Sequence, residues 1–277
     1  MTAITRRLPA PGPVPAVIGT LRRARRVVQR NAMVYRHSWL VIVSGFFEPL
    51  FYLLGIGFGL GSFVQTVEVR PGFAVPYAAF VAPGLLAMSC MNGAIAETIF
   101  NVFFRLNYER IYEGMMATPL GIRDIAIGEL IWSLFRGTLY AAAFVVVMTV
   151  MGLVFSPWVI LVVPSAILLG AAFSAAGLAA TSFMRTVQDF DLPMGLVVMP
   201  MFLFGGVFFP ITVYETVSPA IRWVVEALPL YRGVHLFRGL STGTVDATML
   251  FDVAYLVVFT VIGLWIAMQQ MERRLVK

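Results

Sequence analysis

The chain has 277 residues, of which 60% are hydrophobic and 12% charged, with a mean hydropathy of +0.87 and a formal net charge of +6. Soluble domains run to roughly 45–50% apolar and roughly 25% charged, so a single water-soluble core is excluded and lipid is the solvent that fits. The lone cysteine, Cys90, rules out an internal disulfide, and His37 and His235 stand too far apart in the chain to suggest a metal cluster. The only lysine is Lys277, at the last position. A phosphate-binding loop of the form G-x-x-x-x-G-K-[S/T] is therefore absent, and ATP chemistry within this chain is excluded.

In chain order, residues 1–20 carry Pro9, Pro11, Pro13 and Pro15, a spacing that predicts an extended, poorly ordered tail. The stretch lacks an apolar region of its own and is not expected to be a cleaved signal peptide. Residues 21–38 read as an amphipathic helix, with Leu21, Val28, Ala32 and Tyr35 on one face and Arg22, Arg23, Arg26 and Arg30 on the rest. Such a basic helix before a span reads as lying in the membrane interface, either docking a cytoplasmic partner as well or serving only as a topology signal. Six apolar segments follow, at about Trp39–Gly61, Tyr77–Phe104, Ile125–Val154, Trp158–Phe183, Leu192–Phe209 and Leu250–Met268. Each approaches or exceeds the roughly 20 residues needed to cross hydrocarbon. The expected fold is an all-α polytopic membrane protein with one transmembrane domain over residues 39–277.

Arginine beside the spans sets orientation. The N-terminal flank, the second and fourth loops and the C-terminal tail hold most of it, whereas Arg70 stands alone in the first loop. Both termini are therefore expected on the cytoplasmic side of a multi-pass protein. The last outer segment, Pro210–Met249, is the exception: Arg222, Arg232 and Arg238 sit there among apolar residues. Within it, Ile221–Leu230 has helical spacing between Pro219 and Pro229 but is too short to span, which predicts an interfacial or re-entrant helix capping an exit path.

The loop between spans two and three runs from Arg105 to Asp124. Leu106, Arg110, Glu113 and Ala117 follow helical spacing, as do Tyr108, Ile111, Tyr112 and Met115, so a short amphipathic helix is predicted to end near Thr118-Pro119. Its aromatic and methionine face suits a groove on a soluble partner; lying on the lipid surface is the alternative.

Glu48, Glu97 and Arg136 fall within the expected spans, where charge is expensive. Their spacing from the span ends predicts similar depth on the cytoplasmic side, with Arg136 pairing with Glu48 or Glu97 to hold spans one to three together or to line the substrate's way in. Pro49 predicts a kink in span one. Gly55, Gly57, Gly59 and Gly61, with Gly205 and Gly206 in span five, mark close helix approach and a candidate seam between two copies. Phe202, Phe204 and Phe208, beside Met194, Met199 and Met201, give span five a soft aromatic surface suited to an amphiphile.

Several of these runs together resemble a known family. Tyr77-Ala-Ala-Phe-Val-Ala-Pro-Gly-Leu-Leu-Ala, Met91-Asn-Gly-Ala, Arg110-Ile-Tyr-Glu-Gly-Met-Met-Ala-Thr-Pro-Leu, Gly128-Glu-Leu-Ile-Trp, Phe204-Gly-Gly-Val-Phe-Phe-Pro-Ile, Ala227-Leu-Pro-Leu-Tyr and Arg238-Gly-Leu-Ser-Thr-Gly are similar to the permease subunits of ABC-2-type exporters. The nearest branch holds the nodulation lipo-oligosaccharide exporters and daunorubicin-resistance permeases. The resemblance implies a six-span half-transporter of the bacterial inner membrane, working with a second permease (a homodimer in preference to a heterodimer) and two ATP-binding cassette ATPase subunits. ATP and Mg would then sit on those ATPases, and this chain would carry no cofactor and no catalytic residue. The helix at about residues 105–119 maps onto the family's coupling helix, with Arg105, Tyr108, Arg110, Ile111, Tyr112, Glu113 and Met115 facing the ATPase. The implied cargo is a glycolipid, a lipo-oligosaccharide or a hydrophobic drug; no nucleic acid is expected.

Two other readings compete. An ion-coupled secondary transporter would use Glu48, Glu97 and Arg136 as a proton relay, but would be expected to show internal repeats, and none is evident. An intramembrane enzyme would need converging Ser/His or Asp pairs at one depth.

Overall fold

The computed structural model describes residues 13–35 and 47–275. The start of the expected first span at Trp39, His37 and most of the expected extended tail lie outside them. The first helix, α1 (Pro13–Tyr35), begins earlier than residue 21. Pro13 and Pro15 fall in its first turn, where a missing amide costs nothing, so the prolines open a helix instead of preventing one.

Among the described residues, six helices are long and apolar enough to cross a membrane. They are α2 (Phe47–Val64), α3 (Tyr77–Asn107), α5 (Ile122–Val150), α6 (Pro157–Phe183), α7 (Val187–Phe204) and α11 (Thr248–Leu275), with the short α4 (Ile111–Met116) between α3 and α5. Helix α3 is the axis of the bundle: 83% of its apolar window is buried, against 17% for α2 and 11% for α7. It packs on α2, α5 and α6, and α6 packs in turn on α5 and α11. Three of the spans contain wide π-type turns, at Leu53–Phe58, Ala96–Asn101 and Met194–Val198. The first lies one turn beyond Pro49.

The loop after α2 folds into a hairpin absent from the all-helical expectation. Strands β1 (Thr66–Arg70) and β2 (Phe73–Pro76) pair antiparallel, Val67 opposite Val75 and Glu68 opposite Ala74, around Pro71-Gly72. The alternating valines and the Pro-Gly turn were its signal.

Helix α1 packs on α5 through Ala24, Val27 and Asn31, all essentially buried, whereas Ala32 is exposed and Val28 half-buried. Its inward face is thus rotated from the one expected around Val28 and Ala32. Contact depends on Gly128: a Cβ there would stand 2.6 Å from the Val27 Cβ. Small residues at crossings let helices meet this closely.

The far end departs most from expectation. Span five stops at Phe204 rather than Phe209, because Gly205 closes the last turn and Gly206 adopts a positive φ of 73°, a region that favours glycine. Pro229 does not end the next helix but starts another, its ring suited to a first helical turn. Three helices result: α8 (Ile211–Val217), α9 (Pro219–Ala227) and α10 (Pro229–Thr242). Helix α10 is largely buried and wedges among α3, α6 and α11. The predicted single helix at Ile221–Leu230 is therefore two elements, and the longer one belongs to the core.

Candidate functional site

At the end of the bundle carrying α1 and the C-terminus of α11, four elements deliver polar side chains into one buried junction. Glu129, on the first turns of α5, is its hub. It accepts hydrogen bonds from Asn31 Nδ2 of α1 at 2.9 Å, Arg105 Nη1 of α3 at 2.6 Å and the Tyr112 hydroxyl of α4 at 3.0 Å. Arg105 also reaches Glu97 Oε1 at 3.4 Å, and Asn101 Nδ2 donates to Glu97 Oε2 at 2.7 Å. Arg136, two turns along α5 from Glu129, donates to the same Glu97 oxygen.

The charges alternate along Arg136, Glu97, Arg105 and Glu129, two of each sign. Both carboxylates and Arg105 are almost fully buried. Buried charge is tolerated when each group is paired and hydrogen-bonded, and removal of one partner strands the other. Burial, then the Glu129 charge, push the Tyr112 hydroxyl well above the usual tyrosine range. It remains a neutral donor. A second tie lies beside the junction: Arg23 Nε of α1 meets Asp124 Oδ2 at 2.8 Å, and the same oxygen accepts the Gly121 amide at the start of α5.

This arrangement sorts the expected site residues. Arg136 meets Glu97 and not Glu48, which is exposed on α2 and, among the described residues, accepts a 3.4 Å hydrogen bond from Asn92 Nδ2. Glu48 therefore stands apart from the cluster in which it was expected: among the described residues it meets α3 at Asn92 and keeps its carboxylate exposed. Arg105 and Tyr112, expected on a partner-facing surface, turn into the protein instead, because Glu129 draws both inward. Tyr108, Arg110 and Glu113 are exposed, and Ile111 and Met115 are half-buried. The loop is not one continuous helix either. Arg110 takes a left-handed conformation (φ 49°), which breaks the chain between α3 and α4 and leaves α4 six residues long.

Glu129 and Asn31 were missed in the sequence. Glu129 stands seven residues before Arg136, and Arg105 eight after Glu97, spacings that place each pair on one helix face; that was the available signal. Nothing in the amphipathic pattern of α1 marks Asn31.

The expected span-five residues divide. The Phe202 ring packs on Tyr52 of α2 at 6.4 Å and on Phe208 at 5.2 Å, and Phe204 is exposed. Gly205 and Gly206 are buried beneath Leu230 and Tyr231, so they form the joint between α7 and α10 and are closed to a second copy. Arg238 of α10 fastens that joint, its Nη2 donating to Gly206 O at 2.8 Å and its Nε to Phe80 O at 3.1 Å.

Residues 23–241 match the family described as ABC-2 type transporter. The chain belongs to that family. Nodulation protein J of Rhizobium leguminosarum bv. trifolii is 30% identical over 254 residues, 91% of this chain and 93% of that protein. Nodulation protein J of Bradyrhizobium diazoefficiens is 30% identical over 256 residues, with 91% and 93% covered. Inner membrane transport permease YadH of Escherichia coli is 27% identical over 215 residues, 76% of this chain and 78% of that one. The protein is thus an ABC-2 permease, a multi-pass bacterial membrane component of a transporter rather than a catalytic subunit. The buried junction and α4 lie within the matched residues.

Proposed function

We propose that this permease moves an amphiphile (a glycolipid, a lipo-oligosaccharide or a hydrophobic drug) outward across the inner membrane, with its termini in the cytoplasm. Energy comes from two separate ATP-binding cassette subunits, which carry the ATP and Mg, and a second copy of the permease completes the path. The carrying observation is the two-sidedness of α4. Its Tyr112 is hydrogen-bonded inside to Glu129, while Tyr108, Arg110 and Glu113 beside it are exposed. A partner gripping the exposed side would pull directly on a residue tied to α1, α3 and α5. Coupling requires an element whose arrangement both sites bias, and α4 with Glu129 fits that description.

The test is ATPase activity of the reassembled transporter. Tyr108→Ala with Glu113→Lys is expected to leave the permease folded while lowering permease-dependent ATPase stimulation and co-purification. Undiminished stimulation by that double variant would overturn the docking face. Export that survived loss of the ATPase but collapsed with an uncoupler would favour ion coupling instead. Pairing of both junction carboxylates with arginine speaks against a free proton relay there.

A further inference from the structure

The arginines of the far end remain unexplained by coupling. Arg222, Arg232 and Arg238, with Arg70 of the hairpin, line one chamber of about 590 Å³ between β1, α9, α10 and the start of α11, a size typical of small-molecule sites, about 300–1,000 Å³. Its acids are Glu68, Glu226 and Asp246. Arg222 is held between Glu215 at 2.6 Å and Glu226 at 2.7 Å. Arg232 and His235 converge from α10 on the fully buried Asp252 of α11, at 3.1 and 2.6 Å. The His235 ring stacks on Tyr231, with 6.1 Å between centroids. Arg238, which lines the chamber, also pins the Gly205-Gly206 joint.

Cations and carboxylates nearly cancel here, so the chamber is no trap for a simple anion. It instead presents fixed donors and fixed acceptors side by side, along a stacked aromatic wall. Hydroxyl groups both donate and accept, and a sugar ring adds an apolar face for aromatic contact. We propose that this chamber is a binding site for a polyhydroxylated group, a short glycan, received as the substrate leaves the membrane. The proposal rests on the permease reading for its place in transport but not for the binding itself.

The experiment uses the full chain in phosphatidylcholine nanodiscs, free of sugar detergents, observed by saturation-transfer NMR. The probes are maltotetraose, chitotetraose and inorganic phosphate. At least one tetrasaccharide is expected to bind while phosphate does not. Arg238→Gln endangers the joint, so the variants are Arg70→Gln, Arg222→Gln and Asp246→Asn at the exposed rim. Combined, they are expected to weaken sugar binding about tenfold or more, since each lost hydrogen bond is worth about 1 kcal/mol and 1.4 kcal/mol is tenfold. Nanodiscs doped with a digalactosyl lipid separate two sources: competition with the tetrasaccharide identifies a lipid-borne headgroup, and its absence a free glycan chain. Binding of phosphate in place of both sugars, or sugar binding unchanged in the triple variant, overturns the proposal. Neither readout involves an ATPase, so failure here leaves the coupling face of α4 standing, and failure of that face leaves this site standing.

Discussion

Glu129 is the hub of the junction, because from α5 it meets α1, α3 and α4. Glu129→Ala would remove the 2.6 Å ion pair of the buried Arg105; breaking a buried pair from one side costs about 3–5 kcal/mol. A lowered melting temperature of the purified permease is the expected result, with much of the loss absent in an Arg105→Met, Glu129→Leu double variant that removes both charges. Tyr112→Phe deletes a single hydrogen bond and keeps the ring, so a smaller destabilisation, about 1 kcal/mol, is expected. If α4 transmits force through that hydroxyl, the same variant should lower ATPase stimulation out of proportion to its effect on melting. The pairing of Arg136 with Glu97 was legible from depth along the helices. The exclusion of Glu48 was not, since depth does not say on which side of a helix a neighbour packs.

Among the elements, α1 and α10 show how local pattern and packing part company. The sequence of α1 reads as amphipathic, but the face it buries is chosen by the notch at Gly128, which admits Ala24 and Val27 and leaves Ala32 outside. Gly128→Val would drive a side chain into Val27 and is expected to lift α1 from α5. Limited trypsin digestion should then cut at Arg22 to Arg30 faster than in the parent, with the digestion rate as readout. Helix α10 reads as a surface element because it holds two arginines and a histidine. It is core because its charged side chains find partners: Arg232 and His235 on Asp252, Arg238 on the carbonyls of Phe80 and Gly206.

Over the full bundle, burial is lopsided. Helices α2 and α7 have apolar windows only 17% and 11% buried, and they touch through Tyr52 and Phe202. Glu48 stands exposed on the same α2 surface, where a charge facing hydrocarbon would be costly. A second permease copy covering this surface would relieve that cost. Cysteines introduced at Phe51 and Phe204, both exposed, are expected to cross-link between copies in membranes, read as a dimer band on a non-reducing gel. The native Cys90 is buried and should add little background. Monomeric bands under conditions that oxidise an exposed control pair would place the seam elsewhere.

Membrane spanning, the six apolar segments and the absence of a nucleotide-binding lysine were determined by the sequence alone, because each depends on composition over a window or on a residue type that is simply missing. The ABC-2 resemblance was likewise written in contiguous runs such as Arg110–Leu120 and Phe204–Ile211. Only the tertiary structure decided that Arg105 and Tyr112 face inward, that Glu129 joins them and that Glu48 does not. It also decided that the far arginines gather around one chamber. A buried ionic network is a property of which helix faces meet, and those faces are set by shape at a few close contacts, such as Gly128 against Val27 and Gly206 against Tyr231, that no periodicity along one helix records.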